Sequence, residues 1–272
     1  MDIIKIEGIE VHLTPPVEVP MKWVGQEEVV QQLMAAWLVT GPEDLPMNPR
    51  LIGKPGVGKT TLAYTVAQAM QKPVWLFQAT MDTRPEDLLI SPVISEGQQI
   101  KYVASSLVSA VHRGGVCILD EGNRMSEKSW ASLAPLLDHR RYIESIVAGV
   151  TIQAHPEFRF CTTMNEDSST YEIPEYILSR IQPGIYIDFP SEEEEYAILK
   201  GNIPFAQEEL LRYVVDFLRK AHLRNFNYTI RDGINITRYA FKLQKNGDNS
   251  IKNCFLRSVE MVLGTENIQG LV

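Results

Sequence analysis

The residues best suited to chemistry lie in a glycine-rich stretch, LIGKPGVGKTT, at positions 51–61. It matches the pattern G-x-x-x-x-G-K-[ST] through Gly53, Gly58, Lys59 and Thr60. Glycine allows a positive φ and lets successive backbone N–H groups face phosphate oxygens, which a Cβ would obstruct. The lysine can then reach the β and γ phosphates of a nucleotide, and the threonine hydroxyl can ligate Mg²⁺. The predicted nucleotide contacts are Lys54, Pro55, Gly56, Val57, Gly58, Lys59, Thr60 and Thr61. The alternative is a plain Gly/Pro turn before a helix.

An acidic pair follows an apolar run in GVCILDE, at residues 115–121. Such a run is typical of a buried parallel strand, whose carboxyl end would lie near the phosphates. Asp120 could then hold the Mg²⁺ shell, and Glu121 could orient and deprotonate an attacking water. An NTPase that attacks with water needs this second carboxylate, whereas an adenylate-type kinase does not. The alternative is a strand that ends in a solvated acidic turn.

Two further polar residues follow at the ends of predicted elements. The next apolar run, FRFCTTMNE, reaches Asn165, whose amide can donate to a γ phosphate or to a lytic water. The segment EIPEYILSRIQPGIYIDFP predicts a short helix from about Pro174, with Arg180 near its end, and then an apolar strand. Taken alone, the asparagine is an ordinary turn residue and the arginine an ordinary helix cap or surface pair.

The elements that must position these residues fall into two predicted domains. The chain has 272 residues, of which 44% are hydrophobic, and this is enough for a sizeable core. Residues 1–190 predict an α/β domain, a parallel sheet flanked by helices. Residues 191–272 predict a small all-helical domain, because SEEEEYAILK begins with a serine cap and an acidic first turn and later segments repeat at helical spacing. Four of its basic residues are expected on a solvated face, with nucleic acid contact as the alternative: Arg219, Lys220, Arg224 and Arg231.

Composition narrows the setting in which the chain works. The cysteines at 117, 161 and 254 are odd in number and lie mostly in apolar runs, which favours core thiols over disulfides or zinc ligands. The N-terminus lacks a basic region before an apolar core, and no apolar run approaches the ~20 residues of a membrane helix. The net charge of −8 argues against non-specific binding to nucleic acid. We therefore expect a cytoplasmic protein without a membrane span.

The stretches GKPGVGKT, CILDEGNRM, TTMNE and STYEIPEYILSRI, in this order and spacing, resemble an AAA+ ATPase and, within that superfamily, the MoxR family. The likeness covers roughly residues 24–190. It implies a set of named roles: Walker A for Lys59 and Thr60, Walker B for Asp120 and Glu121, sensor 1 for Asn165, and for Arg180 an arginine finger that acts on a neighbouring subunit.

The resemblance also assigns residues at the edges of the nucleotide site. The stretch Val24, Gly25 and Gln26 resembles the loop that lines the adenine, and Arg238 in NITRYAFK resembles the sensor 2 arginine at the start of a lid helix. The segment SEGQQIKY around Gly97 is expected to form an exposed tip that contacts a client at a ring pore, with a plain hairpin turn as the alternative.

The cofactors implied by this likeness are ATP and Mg²⁺, and the implied assembly is a homohexameric ring with head-to-tail contacts. Hydrolysis would remodel a protein client in a chaperone-like task. MoxR relatives commonly act with a partner that carries a von Willebrand A domain, and such a partner would be a separate chain because no D-x-S-x-S motif occurs here. The alternatives are a McrB-like or other nucleic-acid-linked motor, a scaffold that assembles on binding nucleotide, and a small-molecule kinase.

Overall fold

The computed structural model describes residues 2–20, 22–94, 99–166, 172–247 and 250–264. The expected tip at Gly97 lies outside the described residues. Contacts within the chain separate two compact units. The first comprises the described residues before Val24, together with Glu27–Gly53 and Lys59–Tyr186; the second comprises Val24–Gln26, Lys54–Gly58 and the described residues from Ile187 onward. The predicted boundary between residues 190 and 191 lies shortly after this division.

The strands of the described chain are β1 (Ile3–Ile6), β2 (Ile9–His12), β3 (Arg50–Gly53), β4 (Val74–Gln78), β5 (Ile90–Ile94), β6 (Ile100–Ala104), β7 (Val116–Asp120), β8 (Tyr142–Ser145), β9 (Val150–Gln153), β10 (Arg159–Asn165) and β11 (Gly184–Tyr186). The α-helices are α1 (Glu27–Trp37), α2 (Lys59–Ala69), α3 (Ser106–Arg113), α4 (Glu127–Leu133), α5 (Glu175–Leu178), α6 (Glu192–Asn202), α7 (Glu208–Leu223), α8 (Ile230–Lys245) and α9 (Ile251–Leu263). Short 3-10 helices cover Pro85–Leu88 and Gly122–Arg124.

Five strands of the first unit form a parallel sheet in the order β11-β3-β10-β7-β4. Strands β7 and β10 lie inside this sheet and are buried up to their last residues, as their apolar runs predict. The register places Asn165 opposite Gly53, and Gln78 opposite Asp120. Because parallel strands share one carboxyl edge, the ends of β3, β10, β7 and β4 come together there. The predicted α/β class is confirmed.

The core of the first unit packs the sheet against helices and fixes that edge. Leu107 and Val111 of α3 are fully buried in the same cluster as Leu119 of β7 and Phe160 of β10. The indole N–H of Trp37, at the end of α1, donates to the Phe160 carbonyl at 2.9 Å. The cysteines at 117, 161 and 254 are all free and buried, as expected for core thiols.

Two β structures outside the parallel sheet were not predicted from the sequence. Strands β1, β2, β6 and β5 form a four-stranded sheet in that order, parallel between β2 and β6 and antiparallel elsewhere. Strands β8 and β9 form an antiparallel hairpin. The side chain of Ile146, at the turn of this hairpin, is 89% exposed.

The second unit has a helical core built from α6, α7, α8 and α9. Helix α6 begins at the predicted serine cap, where Ser191 and Glu194 form a reciprocal capping box. Within α7 the buried residues Leu210, Leu211, Val214 and Leu218 recur at helical spacing. They join one cluster with Leu199 of α6 and Ile236 of α8. Across the described parts of both units, every helix is too short or too polar to cross a bilayer.

Candidate active site

The phosphate-loop sequence forms a turn with two left-handed glycines and leads into α2. Gly56 has a φ of 90° and Gly58 a φ of 100°, in the region that glycine adopts without strain. Lys59 is the first residue of α2 and is 6% exposed, and its ammonium donates to the Gly53 carbonyl at 2.8 Å. A helix that begins directly after a glycine-rich turn is the arrangement that binds phosphate, through its first N–H groups and its positive dipole end.

A hydroxyl and a carboxylate meet directly after this turn. Thr60 Oγ1 donates to Asp120 Oδ1 at 2.7 Å, and Thr163 Oγ1 donates to the same oxygen. Asp120 ends β7 and Thr163 lies in β10, so the sheet register fixes both. Mg²⁺ prefers hard oxygen ligands and keeps several waters when it binds beside phosphates. The oxygens of Thr60 and Asp120 are therefore suitable ligands for the Mg²⁺ of a bound magnesium nucleotide.

Glu121 is held in an unusual backbone conformation beside this pair. Its φ is 56°, in the left-handed region that non-glycine residues seldom adopt, and its N–H donates to Thr163 Oγ1 at 2.9 Å. A backbone of this kind costs of order 1–3 kcal/mol and is concentrated at functional sites. The turn directs the Glu121 side chain to the same strand edge as Asp120.

Three side chains hold the Glu121 carboxylate. Asn165 Nδ2 donates to Oε1 at 3.0 Å, Gln78 Nε2 donates to Oε2 at 3.2 Å, and Arg124 Nε forms an ion pair with Oε2 at 2.8 Å. The structure thus brings Lys59, Thr60, Asp120, Glu121 and Asn165 to the ends of β3, β7 and β10 and the start of α2, as predicted. Sequence reasoning gave no role to Gln78 or Arg124. Gln78 ends β4 and contacts Glu121 because β4 lies beside β7, an order that no pattern in the sequence indicates.

Arg180 makes its contacts elsewhere in the first unit. It lies two residues after α5 ends, near the predicted position, and its side chain is 29% exposed. Its guanidinium contacts Asp138 at 3.4 Å, donates to the Tyr176 carbonyl and lies 5.9 Å from the centre of the Tyr176 ring. None of these partners is among the residues at the strand ends.

The loop expected to line the adenine belongs to the second unit. The Gln26 N–H donates to Glu194 Oε1 at 2.6 Å, and its side-chain amide donates to the Asp188 carbonyl at 3.1 Å. Gly25 has a φ of 76°, and a Cβ there would lie 2.0 Å from Glu194 Oε1. The Val24–Gln26 stretch is therefore held closely against the first turn of α6.

The expectation that Arg238 begins a lid helix is wrong. Helix α8 begins at Ile230, so Arg238 is its ninth residue and lies two turns inside it. Arg231 lies in the first turn instead, and its Cβ is 3.2 Å from the place where a Cβ on Gly56 would stand. Arg231 was expected on a solvated face, and it is exposed. The capping box of Thr229 and Asp232 sets the helix start, and this short polar signal was available in the sequence.

Comparison with known proteins identifies the fold. Residues 50–181 match the AAA domain family of the dynein-related subfamily. An uncharacterized protein of Staphylococcus epidermidis is 28% identical over 178 residues, which span 64% of this chain and 67% of that protein.

Solved structures with the same fold include RuvB of Thermotoga maritima, described as a Holliday junction branch migration motor. It is 18% identical with a TM-score of 0.60, and the match covers 88% of this chain and 70% of that one. A putative ATPase from Cytophaga hutchinsonii is also 18% identical, with a TM-score of 0.53 over 87% of this chain and 81% of that one. The chain therefore has the predicted P-loop AAA+ fold. The narrower likeness to the MoxR family stays a prediction.

Proposed function

We propose that the chain is a Mg-ATP-dependent AAA+ ATPase of MoxR type that assembles head to tail into a homohexameric ring. It would couple ATP hydrolysis in the cytoplasm to the remodelling or activation of a separate protein client. The client or a separate partner protein would carry a von Willebrand A domain. The observation that carries the proposal is the strand edge at which Glu121 stands beside the Thr60–Asp120 pair. A chain that only binds nucleotide has no need of a second carboxylate held there in a strained backbone.

In this proposal each residue at the strand ends has its own role in ATP hydrolysis. Lys59 and the turn before it bind the β and γ phosphates, while Thr60 and Asp120 would hold Mg²⁺. The bound metal would neutralise phosphate charge. Glu121 orients a water and takes its proton, and Asn165, which already contacts that carboxylate, reports whether the γ phosphate is present.

The edges of the site complete the proposal. Val24–Gln26 lines the adenine and Arg231 takes the sensor 2 role that the sequence had assigned to Arg238. Arg180 supplies a guanidinium to the nucleotide of the next subunit, since its own contacts are with Asp138 and Tyr176 rather than with the residues that hold the phosphate. A contact of this kind between unlike faces must close into a ring or extend as a filament.

The test is hydrolysis by the purified chain with ATP and with GTP, each in the presence and absence of duplex and branched DNA. We expect ATP turnover that DNA does not stimulate. Glu121→Gln should bind ATP but turn it over at least ~10²-fold more slowly, because the amide keeps the size of the side chain and cannot take a proton. The matched control is Glu157→Gln, which removes a carboxylate that pairs with Lys72 on the surface.

The possible results distinguish the proposed ATPase from each alternative function. Nucleotide binding without turnover in the wild-type chain would leave only the assembly scaffold. Strong stimulation by DNA would favour the motor that acts on nucleic acid. Wild-type turnover in Glu121→Gln would show that the water is activated by another group.

A further inference from the structure

The segment that carries Arg180 is joined to a second loop by one buried amide. Asn48 is 7% exposed, and its Nδ2 donates to the Leu137 carbonyl at 3.0 Å and to the Arg180 carbonyl at 3.1 Å. Both hydrogens of the amide are thus used to join residue 137 to residue 180. The next residue after Leu137 is Asp138, so the amide fixes the backbone on which this carboxylate approaches the guanidinium.

The Asp138 carboxylate lies between two arginines. Arg140 holds it through Nε–H donation to Oδ1 at 3.0 Å and through Nη2 donation to Oδ2 at 2.8 Å, and Arg180 Nε approaches Oδ2 at 3.4 Å. Hydrogen bonds from Arg140 above all, and then from Arg180, hold the pKa of Asp138 well below its usual range. The carboxylate therefore keeps its charge at every pH at which the protein would work.

Arg140 in turn is fixed to the base of the β8–β9 hairpin. Its carbonyl accepts from Gln153 Nε2 at 2.9 Å, and its guanidinium lies 5.8 Å from the centre of the Tyr142 ring. Tyr142 is the first residue of β8 and Gln153 the last of β9. Through Arg140, the Asp138 carboxylate is therefore held against the β8–β9 hairpin.

The contacts of Arg180 use two edges of its guanidinium. Nε faces Asp138 and Nη1 faces the Tyr176 carbonyl. Within the described part of the chain, Nη2 has no partner. A planar guanidinium held at two edges has a fixed orientation, and its remaining N–H groups can donate to a phosphate. Such a fixed orientation would preorganise the Arg180 guanidinium for contact with the γ phosphate of a nucleotide bound to another subunit.

We propose that Asp138 is the positioning residue for Arg180, holding the guanidinium in the orientation in which it reaches the neighbouring nucleotide. The inference rests on the proposed role of Arg180 as the arginine finger. In this role Asp138 acts only through Arg180 and not on the nucleotide or the attacking water. A partly exposed ion pair of this length contributes little to stability, so its main effect falls on turnover rather than on folding.

The experiment compares Asp138→Asn, Arg180→Ala, the double variant and Glu157→Gln, each as the full chain. For Asp138→Asn we expect kcat to fall about 10- to 100-fold, the loss typical of a catalytic group misplaced by about 1 Å. The KM for ATP should stay within about twofold, because the finger acts on the transition state more than on ground-state binding. The particle mass by native mass spectrometry, the thermal midpoint and the affinity for ATP should match those of Glu157→Gln, the carboxylate-to-amide control.

The double variant is decisive, because a residue that acts only through Arg180 adds nothing once Arg180 is gone. We expect its kcat to equal that of Arg180→Ala, and independent losses that multiply would overturn the inference. Wild-type turnover in Asp138→Asn, with turnover lost in Arg180→Ala, would also overturn it while leaving the finger intact. Wild-type turnover in Arg180→Ala would instead refute the finger on which the inference rests. Loss of the assembled particle in Asp138→Asn would show that Asp138 acts on assembly and not on the finger.

Discussion

Arg231 and Arg238 provide a test of the nucleotide site within a single helix. They are seven residues apart in α8, so at 1.5 Å per residue they lie about 10 Å apart along the helix axis and, after nearly two turns, on the same face. Both side chains are exposed. Arg231 stands in the first turn, against Gly56 of the phosphate loop. A hydrogen bond from an ionised donor contributes about 1.5–3 kcal/mol. At about 1.4 kcal/mol for each factor of ten, Arg231→Ala should weaken ATP binding or turnover about 10- to 150-fold.

Arg238→Ala is the matched control, because it removes the same side chain from the same face of the same helix. We expect it to stay within about twofold of the wild type in both measurements. The assay is calorimetric titration with ATP in the Glu121→Gln background, where hydrolysis does not disturb binding, followed by steady-state turnover in the native background. A large loss in Arg238→Ala with none in Arg231→Ala would refute the reasoning from helix position and restore the interpretation made from sequence alone.

Three further predictions concern other parts of the chain. Lys59→Ala should abolish measurable ATP binding in calorimetry because the phosphates lose the cation at the start of α2, and unchanged affinity would defeat the Walker A assignment. Gly115→Ala should lower the free energy of unfolding by about 1–3 kcal/mol in denaturant titrations, since a Cβ there would lie 2.3 Å from the Trp75 ring and 2.5 Å from a backbone carbonyl. Gly41→Ala, where the described residues leave open space, is its control. Burial raises the pKa of Glu195 to about 7 from an ordinary 4.5. Its protonated form therefore stabilises the fold at low pH, and this contribution is lost as pH rises through about 7. As the pH is raised from about 5 to 8, the thermal midpoint of Glu195→Gln should therefore fall less than that of the wild type. Identical profiles of thermal midpoint against pH would contradict the burial argument.

The parallel sheet and the strand-end residues could be predicted because each apolar run and the polar residue that ends it are local in the sequence. The geometry of a parallel sheet then brings the strand ends together. An apolar run that ends in Asp120 and Glu121, and another that ends in Asn165, need only be adjacent strands for their ends to meet. The turn before Lys59 carries its own glycines. No long-range information beyond the strand order was therefore needed to assemble these five residues.

The partners of those residues could not be predicted in the same way. Gln78 and Arg124 contact Glu121 only because β4 lies beside β7 and because a 3-10 turn follows Glu121, and neither fact has a pattern in composition or periodicity. Arg238 was assigned from the likeness of NITRYAFK to the sensor 2 region, and Arg231 lies on the same face of the same helix. Periodicity alone cannot say where along the axis that helix begins. The capping box at Thr229 and Asp232 decides that point.

The conformation of Glu121 links the fold to the proposed chemistry. A strand that continued straight beyond Asp120 would alternate its side chains across the sheet, placing the next one on the opposite face. The left-handed turn at residue 121 breaks that alternation, and the hydrogen bond from its N–H to Thr163 Oγ1 holds the turn against its cost. Thr163 also donates to Asp120, so one hydroxyl group orders both members of the acidic pair. The two carboxylates thus share one support in β10, the strand that also ends in Asn165. A nucleotide that engages Asp120 and Asn165 would therefore act on the same short network that holds Glu121.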